Sequence, residues 1–454
     1  MSQEKYSSAD VRLVAIGKLN LRTATLPLSK EREIFVQTMK VLSGFAHVSW
    51  RNLCLRWVHL QCIFNIQRKI TMKTARRMTV ALAIGSAIIS AQAVTPAERA
   101  IGNVEQVATF RDAMPTGVTV SETGRIFINY PRWGDHVPFT VAELRNGKAV
   151  AYPDAATNVA DPADPARGFI SVQSVVADGR GRLWVLDTAA PGFSAPKPGG
   201  AKLVAIDLKT NRIVKTVIVP ANVMLSTTYV NDMRFDFRIG QEGVAYTTDS
   251  SLAGPGAIIV LDLANGTAQR RLSGHASTSP DPAFVPVVEG EAMLMRNADG
   301  TSQRFTVASD GIALSPDGAT LYYSAVSTRH LYAVPTALLR DASVSENQLD
   351  GAVRDLGEKG ASDGLEADAT GAVYATDYEH NSIRKMNPDG QWSTIAHDPR
   401  MLWPDTMSIG PDGYLYFTAN QLHRQATFNG GKDAREKPYS LLRVRINAAP
   451  APTH

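Results

Sequence analysis

The sequence predicts an all-β fold, a six-bladed β-propeller of four-stranded antiparallel blades closed by an N-terminal strand. Three observations predict it. A hairpin of two period-two strands around a Gly-containing turn recurs six times between residues 116 and 418. Third and fourth strands follow several of these hairpins, and helical periodicity is scarce. Four-stranded sheets repeated about one axis make a propeller, whereas the rival, a pair of β-sandwiches, leaves six matched hairpins unexplained.

The first 93 residues stand outside that fold. In residues 72–93, Lys73, Arg76 and Arg77 make a positive start, residues 78–89 are mostly apolar, and Ala91-Gln92-Ala93 is a small-residue cleavage site. These are the three parts of a secretory signal, in order, with cleavage after Ala93. The apolar stretch is short for a membrane span, so no span is expected once the signal is removed. A buried helix is the alternative reading, and Arg76-Arg77 only hints at twin-arginine export. A signal begins a chain, so Met72 is the expected start and residues 1–71 an upstream extension from a start codon placed too early. A genuine cytoplasmic extension is the rival. The expected location is secreted or periplasmic.

Charge then reads differently. The 454 residues carry a net +4, which invites a nucleic-acid partner. Residues 1–93, however, hold 14 Lys/Arg against 4 Asp/Glu, leaving 33 against 39 in residues 94–454, a net of −6. That is a poor binder of phosphate backbones, and no nucleic-acid partner is expected. Both cysteines, Cys54 and Cys62, also precede residue 94. The remainder has no thiol, hence no disulfide and no cysteine catalysis or ligation. Its 361 residues read as one propeller domain with a core of about 104–447.

The elements follow in order. Residues 104–110 form the natural closing strand, beside residues 441–446. The six hairpins are residues 116–129, 174–187, 231–249, 310–324, 363–377 and 405–418, turning at Gly124, Gly181, Gly243, Gly318, Gly371 and Gly413. Residues 203–208 with 213–219, 257–263 with 267–272, and 382–386 with 392–396 supply outer strands. One short helix is expected over 336–341. Long inserts at 131–167, 274–306 and 421–438 interrupt the repeat, and such loops on a rigid scaffold carry binding determinants.

Pro131-Arg-Trp133, Pro138 to Leu144, Val172 to Val175, Leu183 to Asp187, Lys202 to Leu208, Asn231-Asp232, Asp310 to Gly318, Trp403-Pro-Asp405 and Ala419 to Leu422 together resemble the yellow/major royal jelly protein family. The match runs in order from about residue 104 to 446. The resemblance implies a six-bladed propeller and an exported protein. Family members are variously linked to dopachrome conversion, amine binding in the central channel or nutrition, so fold does not settle function. By resemblance to the amine-binding members, Thr406 and Asn420 help line a ligand pocket. The calcium-dependent lactonases of the gluconolactonase/regucalcin group are similar, more distantly. This chain departs from them: Met114-Pro-Thr-Gly117 lacks their first-blade Glu, and Asp310-Gly311 stands where Asn-Gly is common.

The residues leading into the six inner strands converge at one mouth of a propeller's channel. Here they are Thr116, Gln173/Ser174, Asn231/Asp232, Asp310, Asp363 and Asp405. Convergent carboxylates repel unless a cation or an amine joins them. Two site readings follow. One is a divalent cation, Ca²⁺ above all, held by Asn231, Asp310 and Asp363. The other is an organic ligand bound by Gln173, Asn231, Asp232, Asp310, Asp363, Asp405, Thr406 and Asn420. The bland alternative is that these side chains bond neighbouring backbone amides. Trp133 and Arg132 could stack on a ligand ring or pack between blades. Asp187, Asp249 and Asp377 read as turn-stabilising. His136, His275, His330, His380, His397 and His423 show no metal-binding spacing, although His275 and His423 sit in inserts where a general base could stand. No G-x-S-x-G elbow, phosphate loop or organic-cofactor motif is present.

The expected function is binding of a small polar or aromatic molecule at the channel mouth, with conversion of that molecule as the enzymatic version. A divalent-cation-dependent lactonase is the alternative, and a non-catalytic protein-interaction propeller the second. The residues leave ligand identity and oligomeric state open.

Overall fold

The computed structural model describes residues 99–454, so the signal-like segment 72–93 and the extension before it lie outside the described residues. Six antiparallel sheets of four strands follow one another along the chain. Blade 1 is Gly117–Val120, Ile126–Asn129, Val141–Arg145 and Lys148–Ala151. Blade 2 is Val172–Ala177, Arg182–Asp187, Lys202–Asp207 and Arg212–Ile218. Blade 3 is Val230–Asp236, Val244–Asp249, Ala257–Asp262 and Ala268–Arg271. Blade 4 is Ser309–Leu314, Thr320–Ala325, His330–Pro335 and Arg354–Glu358. Blade 5 is Leu365–Ala367, Val373–Asp377, Ser382–Met386 and Trp392–His397. Blade 6 is Pro404–Ile409, Tyr414–Ala419 and Tyr439–Arg445, with Val104–Phe110 on its outer edge, paired from Val104 with Val444 to Phe110 with Tyr439. The inner strand of each blade packs against the inner strands of both neighbours, so the ring is continuous.

Period-two alternation explains this packing. In Arg182–Asp187, Leu183 and Val185 join the core shared with blade 1, while Trp184 and Leu186 join the core shared with blade 3. Both faces of each sheet are therefore buried, and the core consists of the layers between blades. A carboxylate at the inner turn pins an aromatic residue on the second strand in three blades. Asp178 accepts from Trp184 Nε1 at 3.0 Å, Asp368 from Tyr374 Oη at 2.8 Å and Asp412 from Tyr416 Oη at 2.8 Å.

The expected helix is present as Thr336–Arg340. A second, Glu346–Asp350, carries a capping box in which Ser345 and Gln348 bond each other's backbone N–H. Residues 274–306 hold two small hairpins, Val287–Val288 with Glu291–Ala292 and Leu294–Arg296 with Ser302–Arg304. Their apolar residues Val288, Met293 and Phe305 pack with Trp403 and Phe428, which roofs one end of the channel.

Candidate functional site at one end of the channel

Strand irregularity places the site. The pairing of inner and second strand slips between Val172 and Ser174, Val230 and Met233, Ser309 and Ile312, and Pro404 and Met407. Gln173, Asn231-Asp232, Asp310-Gly311 and Asp405-Thr406 sit inside those slips. A bulge bends its strand and re-aims side chains, here toward the channel. In blade 5 the inner strand starts at Leu365, and Asp363-Gly364 precede it. Two glycines then bring the blades close. A Cβ on Gly311 would stand 2.6 Å from the Asp363 carbonyl oxygen, and one on Gly364 would stand 2.4 Å from that of Asp405. Without side chains there, Asp310, Asp363 and Asp405 are drawn together around one mouth.

Gln173, Asn231, Asp310, Asp363 and Asp405 line a cavity of about 510 Å³ at that mouth. Aromatic rings wall it on two sides. Trp133 stacks on Phe193 with centroids 4.8 Å apart, and its Nε1 donates to Tyr229 Oη at 2.9 Å. Tyr229 Oη in turn donates to Gln173 Oε1 at 3.0 Å. Opposite, Phe305, Phe428 and Trp403 line the cavity, and Trp403 Nε1 donates to Asp363 Oδ2 at 2.6 Å.

The structure places the other three predicted residues elsewhere. Asp232 and Thr406 line a separate cavity of about 300 Å³ at the opposite, turn end of the channel. Asp232 accepts from Ser174 Oγ at 2.8 Å and pairs with Arg234 at 3.0 Å. Thr406 Oγ1 donates to Asp405 Oδ1 at 3.1 Å, and fully buried Asn420 donates through Nδ2 to Asp405 Oδ2 at 2.7 Å. Those two hold Asp405 from behind.

A family model described as major royal jelly protein matches residues 170–454. The chain belongs to the major royal jelly protein family. Protein yellow of Drosophila madeirensis is 28% identical over 324 residues, 67% of this chain and 52% of that protein. Protein yellow of Drosophila melanogaster is 28% identical over 322 residues, 66% of this chain and 53% of that protein. The chain thus spans about half the length of these curated relatives. Among solved structures, regucalcin, a calcium-binding protein from Agrobacterium tumefaciens, is 13% identical, with a TM-score of 0.46, covering 76% of this chain and 95% of that one. A gluconolactonase from Xanthomonas campestris is 14% identical, with a TM-score of 0.44, covering 78% and 98%. Likeness at that level carries no functional argument.

In this royal jelly family member the electrostatics of the mouth are unusual. None of Asp310, Asp363 and Asp405 forms an ion pair among the described residues, and all three are buried. Burial pushes the Asp310 carboxyl well up, and the nearby Asp363 charge adds to it against hydrogen bonds from Ser250 and Asn231. Asp405 is pushed well up by burial and then by Asp363 and Asp310. Burial also raises Asp363, to about 6, while hydrogen bonds from Trp403 and Asp310 favour its charged form. Asp363 is therefore the first of the three to ionise, and its charge keeps its neighbours protonated. The three carboxyl groups thus resist ionising together, and such a set can both accept and donate a proton.

The fit to a divalent cation is poor. Among the described residues no group of three or more His, Cys, Asp or Glu is arranged to hold a metal ion. Asn231 turns its amide nitrogen to Ser250 Oγ at 2.8 Å and to Asp310 Oδ2, so a donor points where a ligand oxygen would be needed.

Other expectations resolve on the scaffold side. Arg132 donates to the carbonyls of Ile170, Val137 and Asn158 and braces the insert. Asp187 accepts from the backbone N–H of Ile170, Ser171 and Ala189, and Asp249 from Tyr229 and Ser251, as turn-stabilising residues do. Asp377 binds the His380 ring at 2.9 Å. His275 pairs with Asp350 at 2.6 Å and His423 with Glu289 at 2.9 Å, and neither lines the cavity. Sequence reasoning missed Tyr229 and Phe193. Tyr229 had a signal, since it directly precedes the inner strand of blade 3. Phe193 had none.

Proposed function

We propose that this protein is an exported member of the family that binds a small aromatic molecule carrying a cationic or hydrogen-donating group, held in the 510 Å³ cavity. The observation that carries this reading is the convergence of three buried carboxyl groups, none of them ion-paired among the described residues, on a cavity walled by aromatic rings. A cation placed among them relieves their repulsion, and a ring between Trp133 and the Phe305/Trp403 side finds apolar faces. Export rests on the signal-like residues 72–93. In the enzymatic version, Asp363 takes a proton from the ligand and Asp310 or Asp405 returns one, an isomerisation that needs no other reactant. A bound Ca²⁺ would require Asn231 to reverse its amide.

Titration with small aromatic amines, followed by tryptophan fluorescence and calorimetry, tests the reading. Binding is expected to weaken at least tenfold in Asp363→Asn and to survive chelator. Equal binding by both proteins overturns the site. Thermal melting with Ca²⁺ against chelator, repeated for Asp363→Ala, separates the alternatives. A Ca²⁺-dependent rise lost in the variant would replace the amine reading with a metal one.

A further inference from the structure

We propose that residues 449–454 form a strap that closes the second mouth of the channel over a chamber distinct from the acidic cavity. The segment reads Ala-Pro-Ala-Pro-Thr-His. Pro450 and Pro452 fix their φ and lack an N–H, which keeps the chain extended and leaves alternate residues to pair. The pairing is observed. Ala449 O accepts from Ala369 N at 2.9 Å and Ala451 N donates to Ala367 O at 3.2 Å, both on blade 5. Thr453 O accepts from Phe237 N of blade 3 at 2.8 Å, and Thr453 Oγ1 donates to Asp178 O of blade 2 at 2.7 Å. The segment therefore crosses the turn end of the ring from blade 5 to blades 3 and 2.

Beneath it lies the 300 Å³ cavity, lined by Thr119, Thr406, Ser408 and Arg234 as well as by Pro450 to His454. Arg234 forms the opposite wall. It rises from blade 3, donates to Asp232 at 3.0 Å and reaches Leu365 O of blade 5 at 2.7 Å. It also faces Glu366 at 3.8 Å. That crossbar separates the chamber from the acidic cavity. The chamber is thus bounded by a charged bar within and by the strap without. Four hydrogen bonds hold six half-buried or exposed residues to the ring, a balance typical of segments that open locally while the rest of a fold stays intact. Closure by the strap is independent of which ligand the acidic cavity takes.

The test uses the full chain with Cys54→Ala and Cys62→Ala, which leaves no thiol. Thr406→Cys then reports the chamber, and Ser393→Cys on the exposed outer strand of blade 5 serves as control. Each is labelled with a small charged methanethiosulfonate and followed by mass. With the strap present, Cys at 406 is expected to label at least tenfold more slowly than Cys at 393. Deleting 449–454 is expected to raise the rate at 406 at least tenfold and to leave the rate at 393 unchanged. Ala451→Pro, which removes the N–H given to Ala367, is expected to raise it severalfold, and it decides the question if the deletion variant does not fold. Equally fast labelling at both positions in the intact chain, or no acceleration in a folded strap variant, overturns the proposal.

Discussion

Asp363→Asn should stabilise the protein, and should do so only above a defined pH. The carboxyl is 8% exposed and its pKa is pushed from 3.8 to about 6 by burial. A raised carboxyl pKa contributes stability that is fully present below the unfolded value and is lost as pH rises through the folded one. A rise of that size corresponds to about 3 kcal/mol, borne in full above roughly pH 6.5 and nearly absent by about pH 4. Asn has the same shape and does not ionise, and its Oδ1 still accepts from Trp403 Nε1. With an unfolding entropy of about 2.1 cal/mol/K per residue over roughly 350 residues, 3 kcal/mol corresponds to an increase of about 4 °C in melting temperature. That value is a ceiling, because Asp310 and Asp405 ionise more readily once the Asp363 charge is gone. Calorimetric melting of both proteins at pH 4, 5 and 7.5 reads the effect. The difference should grow from near zero to several degrees across that series. A variant that melts at or below the parent at pH 7.5, or a difference independent of pH, would refute the account of the cluster.

Three further substitutions probe its surroundings. Trp403→Phe removes the N–H that favours the charged form of Asp363, a bond of about 1.5–3 kcal/mol. The midpoint pH of amine binding should therefore move up by about one to two units, and an unmoved midpoint would show that Trp403 only packs. Lys202→Ala strips the fully buried Asp187 of its cation at 3.0 Å, which should lower stability by about 3–5 kcal/mol in denaturant unfolding. Gly364→Ala places a Cβ 2.4 Å from a backbone oxygen, so blades 5 and 6 must separate. A loss of about 1–3 kcal/mol is expected, together with weakened amine binding, and unchanged values of both would refute the close-approach argument.

The parts of the fold legible in the sequence are the local ones. Period two and a turn glycine are written within some fifteen residues, so all six hairpins and the short helix at Thr336–Arg340 could be read directly. Asp310, Asp363 and Asp405 were legible for the same reason, since each stands at the start of its hairpin's inner segment: Asp310 and Asp405 are second in their strands, and Asp363 lies two residues before its own. What could not be read is which end of the channel a lead-in residue serves. Asn231 and Asp232 are neighbours, yet one lines the acidic cavity and the other the strapped chamber, and the slip between Val230 and Met233 decides it. A slip is a property of two strands, not of one. Of the cavity walls, Trp133 is legible as a candidate for ring stacking, but its meeting with Phe193 and Tyr229 is not, because the three come from separate segments. The surroundings of Lys202 are equally a matter of tertiary contact: lysine is ordinarily exposed, whereas this one is 1% exposed and bound to Asp187 and to the carbonyls of Pro165 and Gly200.

The cluster's cost in stability and the selectivity proposed for it would have one origin. Gly311 and Gly364 let three blades approach until their carboxyl groups share one small volume, and the folded protein bears the cost of any charge placed there. A cationic ligand offsets that cost, whereas a neutral one leaves it. Protons and the cation then compete for the same groups, so affinity for an amine must rise with pH up to about 6 and level off once Asp363 is ionised. A neutral aromatic ligand that occupies only the walls gives a flat profile, and one that needs the acids protonated gives the reverse slope. The sign of that slope, measured on the intact protein, identifies the charge of the ligand class before any particular ligand is known.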